Sequence, residues 1–233
     1  MKGIYIVGGY PDKESCIERI KAIAEAGYDF VEIGIPYNDP TADGPVIAET
    51  LLKAIDLGVT TDLVLEILQA VKDLPIKKYI MTYSNILHAY NIEKFSKDFI
   101  LLIDGLIIAD CPNRMSQFFY DNGLEIRMIP FATPETREED IEKFKNVSAD
   151  FIYFVGTRGT TGSKADFTSK ELINQVESLR KKIDAKIMIG FGVKTPDDVK
   201  AALNLGDGFV VGTEAVKRQA DESTFNKYIS SLI

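Results

Sequence analysis

Residues 30–45 read FVEIGIPYNDPTADGP, an apolar run that ends in a polar turn. Side chains alternate along a β-strand, so Val31 and Ile33 share one face while Phe30 and Glu32 share the other. A carboxylate on the inner face of an apolar strand is costly to bury unless the protein uses it or pairs it. The stretch therefore predicts a buried strand that carries an acid into the interior, with a polar loop at its carboxyl end.

The same pattern, a short apolar run followed by an amphipathic stretch, recurs along the whole chain. Alternating strands and helices predict parallel strands joined by crossovers, and eight such units close into a (β/α)8 TIM barrel. An open doubly wound sheet is the competing fold, but the first turn, Gly8-Gly9-Tyr10-Pro11, does not have the GxGxxG pattern. The predicted strands are Gly3–Val7, Phe30–Ile35, Lys78–Tyr83, Gly105–Ala109, Ile126–Phe131, Phe151–Val155, Lys186–Gly190 and Gly208–Val211. The predicted helices are Lys13–Ala26, Val46–Ala54, Asp62–Lys72, Ile92–Phe99, Met115–Asp121, Glu138–Lys145, Ser169–Lys182, Pro196–Leu203 and Ala215–Leu232.

Length and charge narrow the possible functions. The 233 residues suit a single α/β barrel domain over residues 1–233. Because the first predicted strand begins at Gly3, we expect a barrel that lacks an extra N-terminal helix. The net charge of −8 argues against a broad surface for nucleic acid or anionic lipid. Neither a membrane-spanning run nor a signal peptide is apparent, so we expect a cytoplasmic protein.

Histidine and cysteine are too scarce for several common kinds of site. His88 is the only histidine, and Cys16 and Cys111 are the only cysteines. A site with several histidines is impossible, and two cysteines far apart in sequence suit a reducing compartment better than a disulfide framework. We therefore predict no metal site, and an acidic side chain must carry any proton transfer.

Two carboxylates near the second strand are the candidate catalytic groups. Glu32 points into the barrel, where burial raises the pKa of a carboxyl and suits it to proton transfer near neutral pH. Asp43 lies in the following loop, at the carboxyl end of the strands where barrel enzymes keep their active sites. A buried, hydrogen-bonded Glu32 and an Asp43 that merely caps a turn are the structural alternatives.

Glycine-containing loops after the later strands predict a phosphate site. Gly190-Phe191-Gly192 and Gly212-Thr213 follow the seventh and eighth predicted strands, the place where barrels often bind phosphate through backbone N–H groups. Backbone amides can bind an anion even in an acidic protein. The polar loop Gly156–Gly162 is long enough to close over a ligand as a lid. The alternative is that it is only a surface loop.

These stretches together resemble the tryptophan synthase alpha subunit family over essentially the whole chain. Residues 32–45, EIGIPYNDPTADGP, are similar to that family's signature E-L-G-x-P-F-S-D-P-x-A-D-G-P. Five further stretches match in order: Met81-Thr82-Tyr83-Ser84-Asn85, Gly105 to Pro112, Gly159-Thr160-Thr161-Gly162, Gly190-Phe191-Gly192 and Val211-Gly212-Thr213. Thr213-Glu214 replaces a common S-A, which puts a carboxylate beside the predicted phosphate site.

The resemblance implies a reaction and a role for each matching residue. The reaction is retro-aldol cleavage of indole-3-glycerol phosphate to indole and glyceraldehyde 3-phosphate. Glu32 would be the general acid and base, and Asp43 would stabilise the indole ring through its N–H. The other implied positions are Tyr5, Ile107, Ala109 and Tyr153 for the indole pocket; Gly162, Phe191, Gly192, Gly212 and Thr213 for phosphate; and Thr161 for the lid.

The resemblance also implies a partner. A beta subunit carrying pyridoxal phosphate would receive the indole in an α2β2 heterotetramer, with Asp39 and Asp110 near the interface and no cofactor in this chain. Two other functions remain open: an alpha-like chain that mainly activates a beta subunit, and a different phosphate-binding barrel enzyme. The second does not explain Glu32 and Asp43 at their spacing.

Overall fold

The strands form one parallel sheet, as the repeated pattern predicts. The computed structural model describes residues 1–133, 136–137, 139–140, 150–155 and 167–233. Within these residues the order across the sheet is β4-β3-β2-β1-β8-β7-β6-β5. The strands are β1 (Lys2–Val7), β2 (Phe30–Gly34), β3 (Lys77–Thr82), β4 (Gly105–Ile108), β5 (Phe131–Ala132), β6 (Ile152–Phe154), β7 (Ile187–Ile189) and β8 (Gly208–Val211).

The sheet closes on itself between β4 and the segment that precedes β5. Leu106 donates its N–H to the carbonyl of Arg127 at 2.8 Å and accepts from the N–H of Ile129 at 2.8 Å. These bonds flank the parallel bridge between Leu106 and Met128. The predicted TIM barrel is therefore confirmed.

Helices connect the strands around the barrel. Their starts follow local capping rules: the Asp12 side chain accepts from the N–H of Ser15 at 2.8 Å, and Thr195 and Asp198 form a reciprocal capping box. No helix in the described ranges has the length and apolar character needed to cross a membrane. The helices described are α1 (Lys13–Glu25), α2 (Pro45–Asp56), α3 (Thr61–Ala70), α4 (Ser84–Tyr90), α5 (Ile92–Phe99), α6 (Ser116–Asp121), α7 (Lys170–Arg180), α8 (Pro196–Leu205), α9 (Thr213–Val216) and α10 (Glu222–Ser231).

The interior of the barrel is filled by layers of side chains. Near the amino ends of the strands, the rings of Phe30, Tyr79 and Phe151 pack with centroids 5.2 to 5.5 Å apart. One layer higher, Glu32 and Tyr153 meet, and both are buried. The inward direction predicted for Phe30 and Glu32 is confirmed, and the apolar layer beneath Glu32 separates it from the floor of the barrel.

Two predicted elements differ from the structure, and one helix is additional to the prediction. The fifth strand is predicted at Ile126–Phe131, but the structure has a single bridge at Met128 and then β5, because Pro130 between them has no N–H to donate to a ladder. The single helix predicted over Ala215–Leu232 is instead two, α9 and α10, since Asp221 caps a new helix by accepting from the N–H of Thr224 at 2.7 Å. Helix α4 was not predicted.

The predicted helix Glu138–Lys145 lies almost entirely outside the described residues, apart from 139–140.

Candidate active site

Glu32 lies on β2 in the middle of the barrel and has no exposed surface. Its Oε2 accepts a hydrogen bond from the Tyr153 hydroxyl at 3.3 Å. Its buried Oε1 has no hydrogen-bond partner among the described residues. Burial raises the pKa of Glu32 to about 8, and the Tyr153 hydrogen bond opposes that rise only in part. Glu32 is therefore mainly a neutral acid at pH 7, with one oxygen free to meet a ligand.

Asp43 is held above Glu32 by a tyrosine from the end of β3. The Tyr83 hydroxyl donates to Asp43 Oδ2 at 2.7 Å and accepts from the N–H of Ala42 at 3.1 Å. Burial raises the pKa of Asp43 to about 6, against the lowering effect of the Tyr83 hydrogen bond. Asp43 is thus mainly ionised at pH 7. At that pH the two carboxyls are in different protonation states, because Glu32 is neutral and Asp43 is negatively charged. Such a pair suits proton transfer by one group and charge stabilisation by the other.

Two glycines make room for the tyrosine rings that flank Glu32. A Cβ on Gly190 would lie 1.5 Å from Tyr153 Cε1, and one on Gly34 would lie 2.1 Å from the Tyr5 hydroxyl oxygen. Neither ring could hold its position if these residues had side chains. Burial, followed by the charge of Asp43, raises the pKa of Tyr5 well above its ordinary value. Tyr5 and Tyr153 therefore stay neutral and form the walls of the site.

A cavity of about 40 Å³ joins the two carboxylates to the glycine loops. It is lined by Glu32 and Asp43, and by residues from the loops after β7 and β8. The structure thus brings together all four described residues predicted to bind phosphate: Phe191, Gly192, Gly212 and Thr213. Gly192 has φ +74°, a conformation that favours glycine.

The carboxylate of Glu214, beside the loop predicted to bind phosphate, is neutralised by two cations. Glu214 Oε1 lies 2.6 Å from Lys217 Nζ, and Oε2 lies 2.7 Å from Arg218 Nη1. Burial alone would raise the pKa of Glu214, but these hydrogen bonds and charges hold the pKa below its ordinary value. Glu214 is therefore ionised, but the group of three side chains carries a net positive charge.

A larger cavity of about 430 Å³ adjoins the first on the side of β4 and β5. Both cavities share Asp43 and Tyr153, so the site continues outward from the carboxylates. Ala109 lines this larger cavity. Ile107 is fully buried and pairs in register with Met81, which lines both cavities.

The two residues predicted near a partner interface are exposed at the same end of the barrel. Asp39 lies in the loop after β2. Asp110 lines the larger cavity, and its carboxylate accepts from the N–H and the hydroxyl of Ser84 at 2.8 and 2.6 Å. Asp110 thus also fixes the start of α4.

The structure does not describe two of the predicted site residues, and it adds two site residues that were not predicted. Gly162 and Thr161 lie outside the described residues. Tyr83 and Met81 were overlooked, although the alternation from Tyr79 along β3 assigns both to the inner face. Among the described residues, no group of three or more His, Cys, Asp and Glu side chains is arranged to hold a metal ion.

The site and the barrel match one known family. The family model for the tryptophan synthase alpha chain matches residues 4–230. The tryptophan synthase alpha chain of Staphylococcus carnosus is 35% identical over 237 aligned positions, covering 98% of this chain and 92% of that protein. The Bacillus cereus protein of the same name is 33% identical, covering 94% of this chain and 86% of that one.

A solved structure gives the same result. The tryptophan synthase subunit alpha of Campylobacter jejuni superposes with a TM-score of 0.86 at 29% identity, covering 100% of this chain and 95% of that one. The chain therefore belongs to the tryptophan synthase alpha chain family, whose members are lyases of tryptophan biosynthesis with a beta-subunit partner.

Proposed function

We propose that this chain cleaves indole-3-glycerol phosphate to indole and glyceraldehyde 3-phosphate by a retro-aldol reaction. The observation that carries the proposal is the pair of carboxyls on one cavity, Glu32 neutral and Asp43 ionised at pH 7. The glycine loops at the far side of that cavity supply backbone N–H groups suited to a phosphate. Family membership supports the same reaction.

The first step in the proposed mechanism is protonation of the indole ring. Neutral Glu32 donates its proton to the ring carbon that bears the glycerol phosphate side chain, and the ring nitrogen becomes positively charged. Asp43 accepts a hydrogen bond from the ring N–H and stabilises that charge. Electrostatic stabilisation of a developing charge in a buried site is a large contribution to catalysis.

Cleavage follows from the protonated ring. The Glu32 carboxylate takes the proton of the adjacent side-chain hydroxyl, whose oxygen forms the aldehyde as the carbon–carbon bond breaks. The bonding electrons return to the ring, which restores neutral indole, and Glu32 is again protonated for the next cycle. Tyr5, Tyr153, Ile107 and Ala109 would surround the ring, and the residues predicted for phosphate, including Gly162, would hold the other end.

The proposal extends to the partner and the place of action. We propose an α2β2 heterotetramer in which the beta subunit carries pyridoxal phosphate and this chain has no cofactor of its own. Asp39 and Asp110 would lie near the interface, and Thr161 would belong to a lid over the site. The assembly would act in the cytoplasm, and sedimentation of the mixed subunits measures its stoichiometry.

A coupled assay of glyceraldehyde 3-phosphate, with and without a beta subunit, tests the reaction. We expect Glu32→Gln to lose about 10²- to 10⁴-fold in kcat, because the amide keeps the shape but is not an acid. Its affinity for glycerol 3-phosphate should stay within about two-fold of the original. Glu49→Gln is the matched control, since Glu49 is exposed on α2 and pairs with Lys53.

The outcomes separate the possible functions. Turnover that survives Glu32→Gln contradicts the role of Glu32. Binding of glycerol 3-phosphate without any turnover, with or without a beta subunit, indicates a chain that only activates its partner. Neither binding nor turnover would indicate a different substrate.

A further inference from the structure

The loop after β7 is fixed on both sides of one peptide unit. Asp198 Oδ2 accepts from the N–H of Lys194 at 3.0 Å and of Thr195 at 2.9 Å. The carbonyl of Lys194 accepts from the Tyr228 hydroxyl at 2.8 Å. Tyr228 belongs to α10, far along the chain, so this last bond ties the loop to another part of the barrel. Lys194 lies two residues after Gly192, and both residues line the smaller cavity.

The ring of Tyr228 also contacts the loop after β8, through an arginine. The Arg218 guanidinium carbon lies 4.3 Å from the centre of the Tyr228 ring. Arg218 Nη1 donates to the carbonyl of Glu214 at 2.7 Å and to its carboxylate Oε2 at 2.7 Å. Glu214 follows Thr213 at the start of α9, on the other side of the same cavity. A continuous chain of contacts therefore joins the two glycine loops behind the cavity.

We propose that Tyr228 is a positioning residue for the phosphate site, which holds the loops after β7 and β8 at the separation that a phosphate group needs. Its hydroxyl fixes one loop, and its ring packs on the arginine that fixes the other. A phosphate bound by both loops would then not have to order them, and this preorganisation increases affinity. The inference rests on the proposed function, because it assumes that these loops bind phosphate.

A second tyrosine, which donates a hydrogen bond to the same helix, offers a matched control. The Tyr28 hydroxyl donates to the carbonyl of Ile229 in α10 at 2.8 Å, the same kind of bond at the same length as that of Tyr228. Tyr28 is buried in the turn before β2, at the opposite end of the strands from the cavity. Tyr28→Phe and Tyr228→Phe each remove one hydroxyl that secures α10, but only Tyr228→Phe releases a glycine loop.

The test measures binding of glycerol 3-phosphate and of indole by titration calorimetry, together with kcat and KM for indole-3-glycerol phosphate. For Tyr228→Phe we expect the Kd of glycerol 3-phosphate and the KM to rise about 3- to 10-fold, with the Kd of indole and kcat within about two-fold. Tyr28→Phe should leave all four values within about two-fold. Arg218→Lys keeps the charge but loses the flat guanidinium, and it should weaken phosphate binding as Tyr228→Phe does.

The results distinguish failure of the positioning role from failure of the proposed function. Equal phosphate affinity in the original protein, Tyr228→Phe and Arg218→Lys overturns the positioning role but leaves the proposed function standing. An equal loss in Tyr28→Phe and Tyr228→Phe also overturns it, because the effect then comes from loosening α10 in general. If the original protein binds neither glycerol 3-phosphate nor inorganic phosphate, the proposed function fails and the inference fails with it.

Discussion

The buried carboxyl of Glu32 should make this protein less stable as the pH rises, and the substitution Glu32→Gln isolates that effect. Burial raises the pKa of Glu32 from 4.5 to about 8. Between these values the folded chain keeps a proton that the unfolded chain has released, so raising the pH favours unfolding. Each pH unit in that interval costs the folded state about 1.4 kcal/mol. Glu32→Gln has no proton to lose and escapes this penalty.

The magnitude follows from the width of the interval. From pH 5.5 to 7.5 the free energy of unfolding of Glu32→Gln should rise relative to the original protein by about 2 to 3 kcal/mol. Asp43 titrates in both proteins, so its contribution largely cancels in the difference. With a urea dependence of about 3 kcal/mol per molar, the gap between the two midpoints should widen by about 1 M.

Urea unfolding followed by circular dichroism at pH 5.5, 6.5 and 7.5 measures this gap. Glu49→Gln serves as the control, because the exposed Glu49 has its pKa lowered by the hydrogen bond and charge of Lys53 and is ionised throughout. The difference in urea midpoint between Glu49→Gln and the original protein should not change with pH. If the difference in urea midpoint between Glu32→Gln and the original protein is also constant from pH 5.5 to 7.5, Glu32 is ionised inside the barrel at pH 5.5. The reasoning that makes it a neutral proton donor would then be refuted.

Three further predictions concern the same site. The kcat/KM for indole-3-glycerol phosphate should rise through about pH 6 as Asp43 ionises and fall through about pH 8 as Glu32 does; a flat profile from pH 5.5 to 9 would contradict both roles. Tyr83→Phe removes the hydrogen bond that lowers the pKa of Asp43, so the acid limb of that profile should move to higher pH by about half to one unit. An unmoved limb would show that the bond does not tune Asp43. Gly190→Ala introduces a Cβ 1.5 Å from Tyr153 Cε1 and should destabilise the fold to urea by about 1 to 3 kcal/mol. Tyr153→Ala should then lower the free energy of unfolding by less in the Gly190→Ala protein than in the original protein. Equal losses in both proteins would exclude the clash as the cause.

Local sequence signals predicted the strands and most helices well, and the differences have specific causes. The limits of β8 agree with the prediction because a continuous apolar run with a glycine at each end marks them. Pro130 shortened the fifth strand, and Asp221 started a new helix inside a run that keeps helical spacing. Helix α4 was overlooked because its seven residues are too few to show a helical period.

The candidate site was predictable where alternation alone sets direction. The inward face of β2 placed Glu32 in the barrel, and the same rule applied to β3 would have found Met81 and Tyr83. The hydrogen-bond partner of Asp43 was harder to predict, because Tyr83 follows β3 whereas Asp43 lies in the loop after β2. Nothing in the spacing of residues indicates that Tyr83 donates to Asp43 Oδ2.

The sequence by itself determined the barrel, the inward carboxyl and the glycine loops, since each depends on periodicity or on backbone freedom within a few residues. Only the tertiary structure decided the charge states and the supports of the site. The pKa of Glu32 depends on complete burial among strands distant in sequence, and the Tyr228 bond joins residues 34 positions apart. Desolvation and long-range hydrogen bonds arise from packing, which no local pattern encodes.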